Sequence, residues 1–381
     1  KILSMEVSSD SVRIDIVNHK FRSIAQAVGR VSSTLQRFTG DEIRSAIIVF
    51  HENNLQVASY KVDLEKVAFE QFGEKQYLEE EPSIYPKKAK TNLDKKAYLN
   101  KRFNWSMGPY FTHRLFNPDL PLSAETGAEL SLGYKLSPNI KFSGSLRKSL
   151  LTNLTANHRR SNSVLPHVHS DWPLYDIAGQ GGHVHDLLLE YSDNLGDGVY
   201  GRFHAGILER FYAGIGGEIL YKPIKSPIGL GVDIHRVRKR DFDMMFNLLD
   251  YETTVGHVSL YYDAGGMFDL EINAGRYLAG DFGATTKISR IFGNGWEVGA
   301  YATFTDVPFE TFGEGSFDKG IYATIPIDWI IGTPNQRRRK LVIRPITRDG
   351  GAQLESARNL YHRIRFHQNS QFLREKGRLW K

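Results

Sequence analysis

From residue 103 to residue 330 the chain alternates apolar and polar side chains with a period of two, in segment after segment. Phe268, Leu270, Ile272 and Ala274 alternate with Asp269, Glu271 and Asn273. Val298, Ala300, Ala302 and Phe304 alternate with Glu297, Gly299, Tyr301 and Thr303, and Ile228, Leu230, Val232 and Ile234 with Gly229, Gly231, Asp233 and His235. Successive side chains of a β-strand point to opposite faces, so each segment predicts a strand with one apolar and one polar face. Twelve such strands are predicted, starting near residues 103, 127, 139, 184, 198, 211, 227, 250, 266, 281, 295 and 317. Most run to about 9–12 residues, the length of a tilted strand that crosses a bilayer.

The connections alternate as well. Tight turns are predicted at 137–139, 193–198, 222–227, 263–266 and 292–295, and the intervening loops include long ones over 150–182, 236–249 and 306–316. Short turns at one end and longer loops at the other are the asymmetry of an outer-membrane barrel, with the short turns and both chain ends periplasmic.

The flanks read differently. Ser11–Val17 alternates like a strand, and Ile24, Val28, Val31 and Leu35 recur at helical spacing within Phe21–Phe38. Two β-rich runs, Ser45–Phe50 and Leu55–Val62, flank a hairpin loop, and Asp63 is placed to cap a short helix over Leu64–Phe72. Residues 1–72 therefore predict a small periplasmic α/β domain and 73–102 a charged linker. The barrel follows over 103–330, and 331–381 is a basic periplasmic tail with weak helical character over Leu360–Leu373, set to cap the barrel mouth.

Composition narrows the classes. With 24% charged and 41% apolar residues, wholesale disorder is excluded. The chain has no cysteine, so disulfides and thiolate metal sites are excluded too. No apolar run approaches the ~20 residues of a spanning helix, and only helices and closed barrels satisfy their backbone in lipid. The opening KILSMEVSSD lacks a secretory signal, as expected of a processed chain or a fragment. Alternation leaves open which face points inward; a soluble barrel would turn its apolar face in.

Long strings of the sequence are individual enough to compare with a known family. They include RFNWSMGPYFTHRLFNPDLPL at 102–122, SNSVLPHVHSDW at 161–172, GRYLAGDFGAT at 275–285 and NGWEVGAYATFTDVPFETFGEGSFDKGIY at 294–322. SLRKSLLTNL at 145–154, RKRDFD at 238–243 and RPITRDGGAQL at 344–354 complete the set. In these strings the chain resembles the YjbH family of outer-membrane exopolysaccharide and group 4 capsule biosynthesis proteins. The resemblance implies a protein of the Gram-negative cell outer membrane encoded with polysaccharide secretion genes, and it brings no catalytic residues. Members of the family are larger, so the chain is expected to be the C-terminal part of a longer polypeptide.

Candidate chemistry is sparse. His167 and His169, and His183 and His185, share strand faces near Asp171 and Asp186, but a His-x-His pair is a weak metal signal and polar loop histidines explain it better. His257 and Ser259 also share a face, yet no orienting third group accompanies them. No metal, cofactor or catalytic residue is expected. The basic run Arg236, Arg238, Lys239 and Arg240 is a candidate contact for lipopolysaccharide phosphates or an acidic glycan, or a solvated loop. Nucleic acid is disfavoured because aromatic residues do not interleave with that run. Lys141, Arg147, Arg202, His204, Glu271 and Glu297 are predicted to line the lumen.

The reading expected from the sequence is mainly β: a transmembrane antiparallel β-barrel of about 12 strands with a small N-terminal α/β periplasmic domain. Its function is a non-enzymatic part in exopolysaccharide or capsule biosynthesis and export. The expected partners are outer-membrane lipid and lipopolysaccharide, the polysaccharide chain and other proteins of the secretion system. An outer-membrane hydrolase or acyltransferase, and a soluble periplasmic glycan-binding β-protein, are the alternatives.

Overall fold

The computed structural model describes residues 1–380 apart from 41, 53–54, 68–83, 87–101, 116–119, 157–160, 267, 313–315, 345–348 and 356–358. The N-terminal unit is a five-stranded sheet in the order β1 (Ile2–Val7), β2 (Ser11–Ile16), β3 (Ser45–Glu52), β4 (Leu55–Asp63) and β5 (Ile84–Pro86). β2 and β3 are parallel, as a helical crossover between them requires, and the other pairs are antiparallel. The crossover is α1 (Ile24–Phe38), whose first turn is capped where Ser23 accepts a hydrogen bond from the Gln26 amide. Its apolar stripe, Ile24, Val28 and Leu35, packs in one core with Val12, Ile14 and Ile16 of β2 and Ile48 and Phe50 of β3. β1 and β5 are additions to the expected elements, β5 falling inside the segment read as a linker. The helix expected over Leu64–Phe72 is described only for 64–67, and its remainder lies outside the described residues, as does most of the linker.

Asp15 is buried in this unit. It accepts hydrogen bonds from His51 Nε2 at 2.9 Å, Arg13 Nε at 3.0 Å and Ser4 Oγ at 3.1 Å. Burial opposes ionisation, yet the His51 and Arg13 hydrogen bonds outweigh it and hold the carboxyl below its ordinary value.

The second sheet has thirteen antiparallel strands, each paired to its neighbours in sequence. They are β6 (Phe103–Leu115), β7 (Leu122–Lys135), β8 (Ile140–Thr152), β9 (His183–Gly196), β10 (Val199–Ile207), β11 (Tyr212–Tyr221) and β12 (Ile228–Arg240). Then come β13 (Leu248–Asp263), β14 (Asp269–Arg276), β15 (Phe282–Ile291), β16 (Glu297–Thr305), β17 (Asp318–Pro326) and β18 (Arg338–Ile343). The first twelve lie where the period-two pattern puts them. β18 is a thirteenth, inside the segment expected to be tail; its RRKLVI sequence is too short and too basic to show alternation.

Burial along these strands is inverted. In β12 the exposed row is Ile228, Leu230, Val232 and Ile234, continued by Arg236 and Arg238, while His235 is buried and Asp233 half-buried. In β10 Phe203 is 52% exposed between Arg202 at 4% and His204 at 0%. The apolar face is outside and the polar face inside, the reverse of a soluble barrel.

The polar face is covered by the chain's own C-terminus. β18 ends at the loop end of the sheet, where Asp349 accepts hydrogen bonds from the amides of Val168, His169 and Ser170, and Leu278 donates to the Ala352 carbonyl. The Glu355 amide donates to Glu209, and the Leu360 amide to Glu218. Short helices at Leu360–Ile364 and Asn369–Arg374 follow, and the Asn369 amide reaches the Ile224 carbonyl in a tight turn. The tail thus runs from the loop end to the turn end. The sheet curls around it: β9 contributes Glu190 to the tail's Arg363, and in β18 Arg338 lies over the Phe366 ring at 3.3 Å. First and last strands run in the same direction and touch, Arg339 Nη2 donating to the Phe111 carbonyl at 3.0 Å beside His113.

The two units share a core. Tyr200, Leu220 and Tyr261 of the sheet and Leu360, Ile364, Phe372 and Leu379 of the tail join the apolar cluster around Val28, Phe50 and Tyr60. Gly29 of α1 is needed there, since a Cβ on it would stand 1.8 Å from the Leu379 carbonyl oxygen. Arg22 ties three segments together, reaching Asp328 at 3.1 Å, the Asn294 carbonyl at 3.0 Å and Glu375 at 3.6 Å, with its side chain 2% exposed.

Two outcomes are expected. Arg22→Ala leaves Glu375 and Asp328 without this cation and should cost about 3 kcal/mol, read as faster proteolysis at the junction of the units. Because Asp15 titrates lower in the folded chain, its contribution is complete above the unfolded value near pH ~4 and is lost as pH falls through the folded one. Asp15→Asn should therefore flatten the acid limb of a stability-versus-pH curve without changing its slope above pH ~6.

Candidate functional site

The polar interior is the candidate site, built from residues that alternate with the exposed apolar row. Strand pairing sets them in rows across the sheet: Lys141 opposite Glu190, Glu190 opposite His204, and Arg202 opposite Glu218. All six residues predicted to line a lumen lie on this face. Arg202, His204, Glu271 and Glu297 are buried, and Arg147 and Lys141 half-buried. Arg147 Nε donates to Glu129 at 2.6 Å and its guanidinium covers the Tyr110 ring at 4.9 Å.

Toward the turn end the interior is a lattice of ion pairs between sheet and tail. Glu190 accepts both guanidinium nitrogens of Arg363 at 2.6 Å, and Arg202 Nε at 2.8 Å. Glu271 meets Lys287 at 2.8 Å and His362 at 3.5 Å, and Glu297 meets Arg365 at 2.8 Å. Arg374 reaches Asp263 at 3.1 Å and Asp269 at 3.5 Å. Tyr361 stacks on Tyr261 with ring centroids 3.8 Å apart and planes 11° apart. A gap with room for about one water remains beside Glu271, Lys287, Tyr322 and Arg365. The tail therefore fills the described interior.

The loop end is closed by different means. Val168, Leu188, Leu208, Tyr212, Val237, Val255, Leu278 and Ala352 form an apolar cluster, and His169 meets Glu209 at 3.3 Å above it. The basic run divides here. Lys239 and Arg240 are buried, Lys239 bound to Asp171 and the His167 carbonyl, Arg240 donating to the carbonyls of Val184 at 2.8 Å and Arg210 at 3.1 Å. Neither is available to an external ligand: alternation turns Lys239 inward, and Arg240, the last residue of β12 after a register shift, pins loop carbonyls. Arg236 and Arg238 stay exposed, paired with Glu252 and Asp250 on the neighbouring strand.

The other candidates are placed as follows. His257 lies inside, 3.8 Å from Asp233, with Ser259 two residues along; no hydrogen bond joins Ser259 to His257 among those the described residues make. Among the described residues no group of three or more His, Cys, Asp or Glu is arranged to hold a metal ion. His169 pairs with Glu209, and His183 with the Gly179 carbonyl at 3.2 Å. Sequence reading missed Glu190, Glu218, Asp269 and the tail arginines. The first three follow from extending the alternation across neighbouring strands, but Arg363 and Arg365 carry no strand signal.

Outside, the exposed row changes along the strands. Phe103, Trp105, Tyr134, Phe142, Tyr191, Tyr221 and Tyr262 are exposed and ring the turn end, with aliphatic side chains beyond them. No described helix is long and apolar enough to cross a membrane.

A curled antiparallel meander with an apolar outside, a polar inside and its own tail within defines an inside-out β-protein carrying an N-terminal α/β unit. The chain belongs to the YjbH family, described as "Exopolysaccharide biosynthesis protein YbjH", whose sequence model it matches over residues 1–366. The match takes in the N-terminal unit as well as the large sheet. A relative from Escherichia coli strain K12, named "Uncharacterized lipoprotein YjbH", is 28% identical over 373 residues. That alignment covers 94% of this chain and 52% of the relative, so the chain spans about half the relative's length.

The lattice makes its own prediction. Glu190→Gln leaves Arg363 and Arg202 buried beside a neutral amide and should cost about 3 kcal/mol. Hydrogen exchange should then speed up at residues 360–364 while the central strands stay protected.

Proposed function

We propose that the chain is a non-enzymatic outer-membrane component of exopolysaccharide biosynthesis or export, its thirteen strands closed into a transmembrane barrel plugged by the tail. The observation that carries this is the inverted burial. Exposed Ile228, Leu230, Val232 and Ile234 would be an aggregation hazard in water, and they suit hydrocarbon. The aromatic ring at the turn end fits one interfacial girdle. The Arg236–Glu252 and Arg238–Asp250 pairs, on the same outward face above Ile234, fit a polar headgroup level. The Arg339 contact across β18 and β6 supports closure, which lipid demands of any sheet because an unpaired edge has no water there.

In this reading the turns and the α/β unit are periplasmic and the loops face outward, with Arg236 and Arg238 beside lipopolysaccharide phosphates. The relative's lipoprotein name supports an envelope location. The family's description supports a role with a secreted polysaccharide, which the barrel would anchor, guide or export while the α/β unit docks other members of the system.

Fractionation followed by gel migration with and without boiling tests the barrel. The chain should be recovered in the outer membrane and shift in mobility on boiling. Val232→Arg, at mid-strand on the outward face, should cost about 2–4 kcal/mol in a bilayer and reduce the shifted species. Recovery in the soluble periplasm, with Val232→Arg harmless, would sink the reading.

A further inference from the structure

The hydrogen bonds of β6 define which of its residues face the seam with β18. The Arg102 carbonyl accepts from the Lys135 amide of β7, whereas the Phe111 carbonyl accepts from Arg339 of β18. The register between β6 and β7 is unbroken, so residues of even number pair with β7 and those of odd number turn their backbone to the seam. Pro109 agrees with this, since its missing N–H falls on the seam side and the ladder to β7 loses nothing. Phe103, Trp105 and Met107 therefore each present an N–H and a C=O to the seam. Among the described residues these groups have no hydrogen-bond partner, and no ladder joins β18 to β6. The stretch also stands clear on both faces. Trp105 and Met107 are exposed outside, Asn104 and Ser106 are exposed on the other face, and a Cβ on Gly108 would meet nothing within 4 Å.

A second observation concerns edge protection. Sheets blunt their free edges with charge or proline. The rest of the seam follows that rule: β18 carries Arg338, Arg339 and Lys340 in succession, and β6 has Pro109 beside the Arg339 contact. Phe103–Gly108, with the sequence FNWSMG, has neither. In a bilayer its free groups have no water to turn to, and a lipid tail supplies no donor or acceptor. What complements them is the backbone of another strand. Strand count points the same way. Thirteen strands leave β6 and β18 running in one direction, so a strand antiparallel to β6 is antiparallel to β18 as well. It would be the fourteenth, and bacterial barrels of one chain have an even count.

We infer that the turn-end half of β6 is a docking edge for a β-strand of a different polypeptide, which completes the seam in the periplasmic leaflet. This rests on the barrel reading and adds a partner surface to it. The partner strand runs antiparallel to β6 and takes the N–H and C=O groups of Phe103, Trp105 and Met107. Its side chains alternate as those of β6 do, apolar toward lipid beside Trp105, small and polar on the side of Asn104 and Ser106. It needs about six residues and no proline at a pairing position.

The test is titration of the detergent-solubilised full chain with a synthetic peptide of about eight residues that alternates valine and serine, and with the same peptide carrying a central proline. The first peptide should bind one per chain and slow hydrogen exchange at the Trp105 and Met107 amides at least about tenfold. The second should bind at least about tenfold more weakly. Trp105→Pro removes one seam-facing N–H and leaves the β7 ladder whole, so it should keep the boiling-dependent gel shift and lose the peptide. If that variant loses the shift, the two peptides on the unmutated chain decide alone. Equal binding of the proline peptide overturns the proposal, because it shows apolar adhesion of the kind lipid or detergent would make. Exchange at Trp105 and Met107 that is already slow without peptide overturns it too, as does absence of binding by a chain that keeps its gel shift. A dimer that Trp105→Pro dissociates assigns the edge to a second copy and also overturns it. Each of these results leaves the barrel standing. Absence of the shift in the unmutated chain overturns the barrel reading, and this inference with it.

Discussion

Charge buried inside a protein must be paired, and in this chain that requirement decides where the last thirty residues go. Glu190, Glu271 and Glu297 face away from solvent because the alternation of their strands turns the apolar row outward. An isolated carboxylate in such a place costs several kcal/mol, more than one strand neighbour returns. Arg202 and Lys287 supply part of the balance from within the sheet, and Arg363, Arg365 and Arg374 add to it from the tail. The pairing is directional as well as electrostatic: Glu190 holds Arg363 through two parallel hydrogen bonds, a geometry that a lysine at 363 does not reproduce. The inside-out sheet and its filled interior are thus one arrangement seen from two sides.

The same tail couples the sheet to the α/β unit. Its interior part lies against carboxylates, and its end lies against the α/β unit, where the Ile24 amide of α1 donates to Glu375 and Tyr60 of β4 donates to the His367 carbonyl. Arg22 then bridges Glu375 to Asp328, which follows β17. The tail thus joins the two units as one continuous segment, packed on the sheet at one end and on the α/β unit at the other.

The sequence was readable where local pattern and environment agree. Twelve strands were legible because each has an uninterrupted two-residue period, and the tight turns were legible because they recur between those periods. Arg202, His204, Glu271 and Glu297 could be assigned to one face for the same reason. Which face is buried was not legible, since period two is the same for a barrel with its apolar row inside or outside. β18 escaped because Arg338, Arg339 and Lys340 are consecutive and erase the alternation. The role of the tail escaped for a deeper reason: Arg363 and Glu190 are 173 residues apart, and nothing local to Arg363 indicates the carboxylate it will meet. The basic run was misleading in the opposite sense. Four neighbouring cations suggest a patch, but strand alternation sends Arg236 and Arg238 out and Lys239 in, and a register shift at the strand's end turns Arg240 onto loop carbonyls.

The interior is closed at both ends by the same mixture of forces. Its loop end is sealed by aliphatic and aromatic side chains, by backbone hydrogen bonds onto Asp349 and by ion pairs such as Lys239 with Asp171. Its turn end is held by the tail's ion pairs and by the apolar core that Leu360, Ile364, Phe372 and Leu379 share with the α/β unit. Screening by salt weakens the charge pairs and leaves apolar contacts in place, so displacing the tail from either end has to break both kinds of contact.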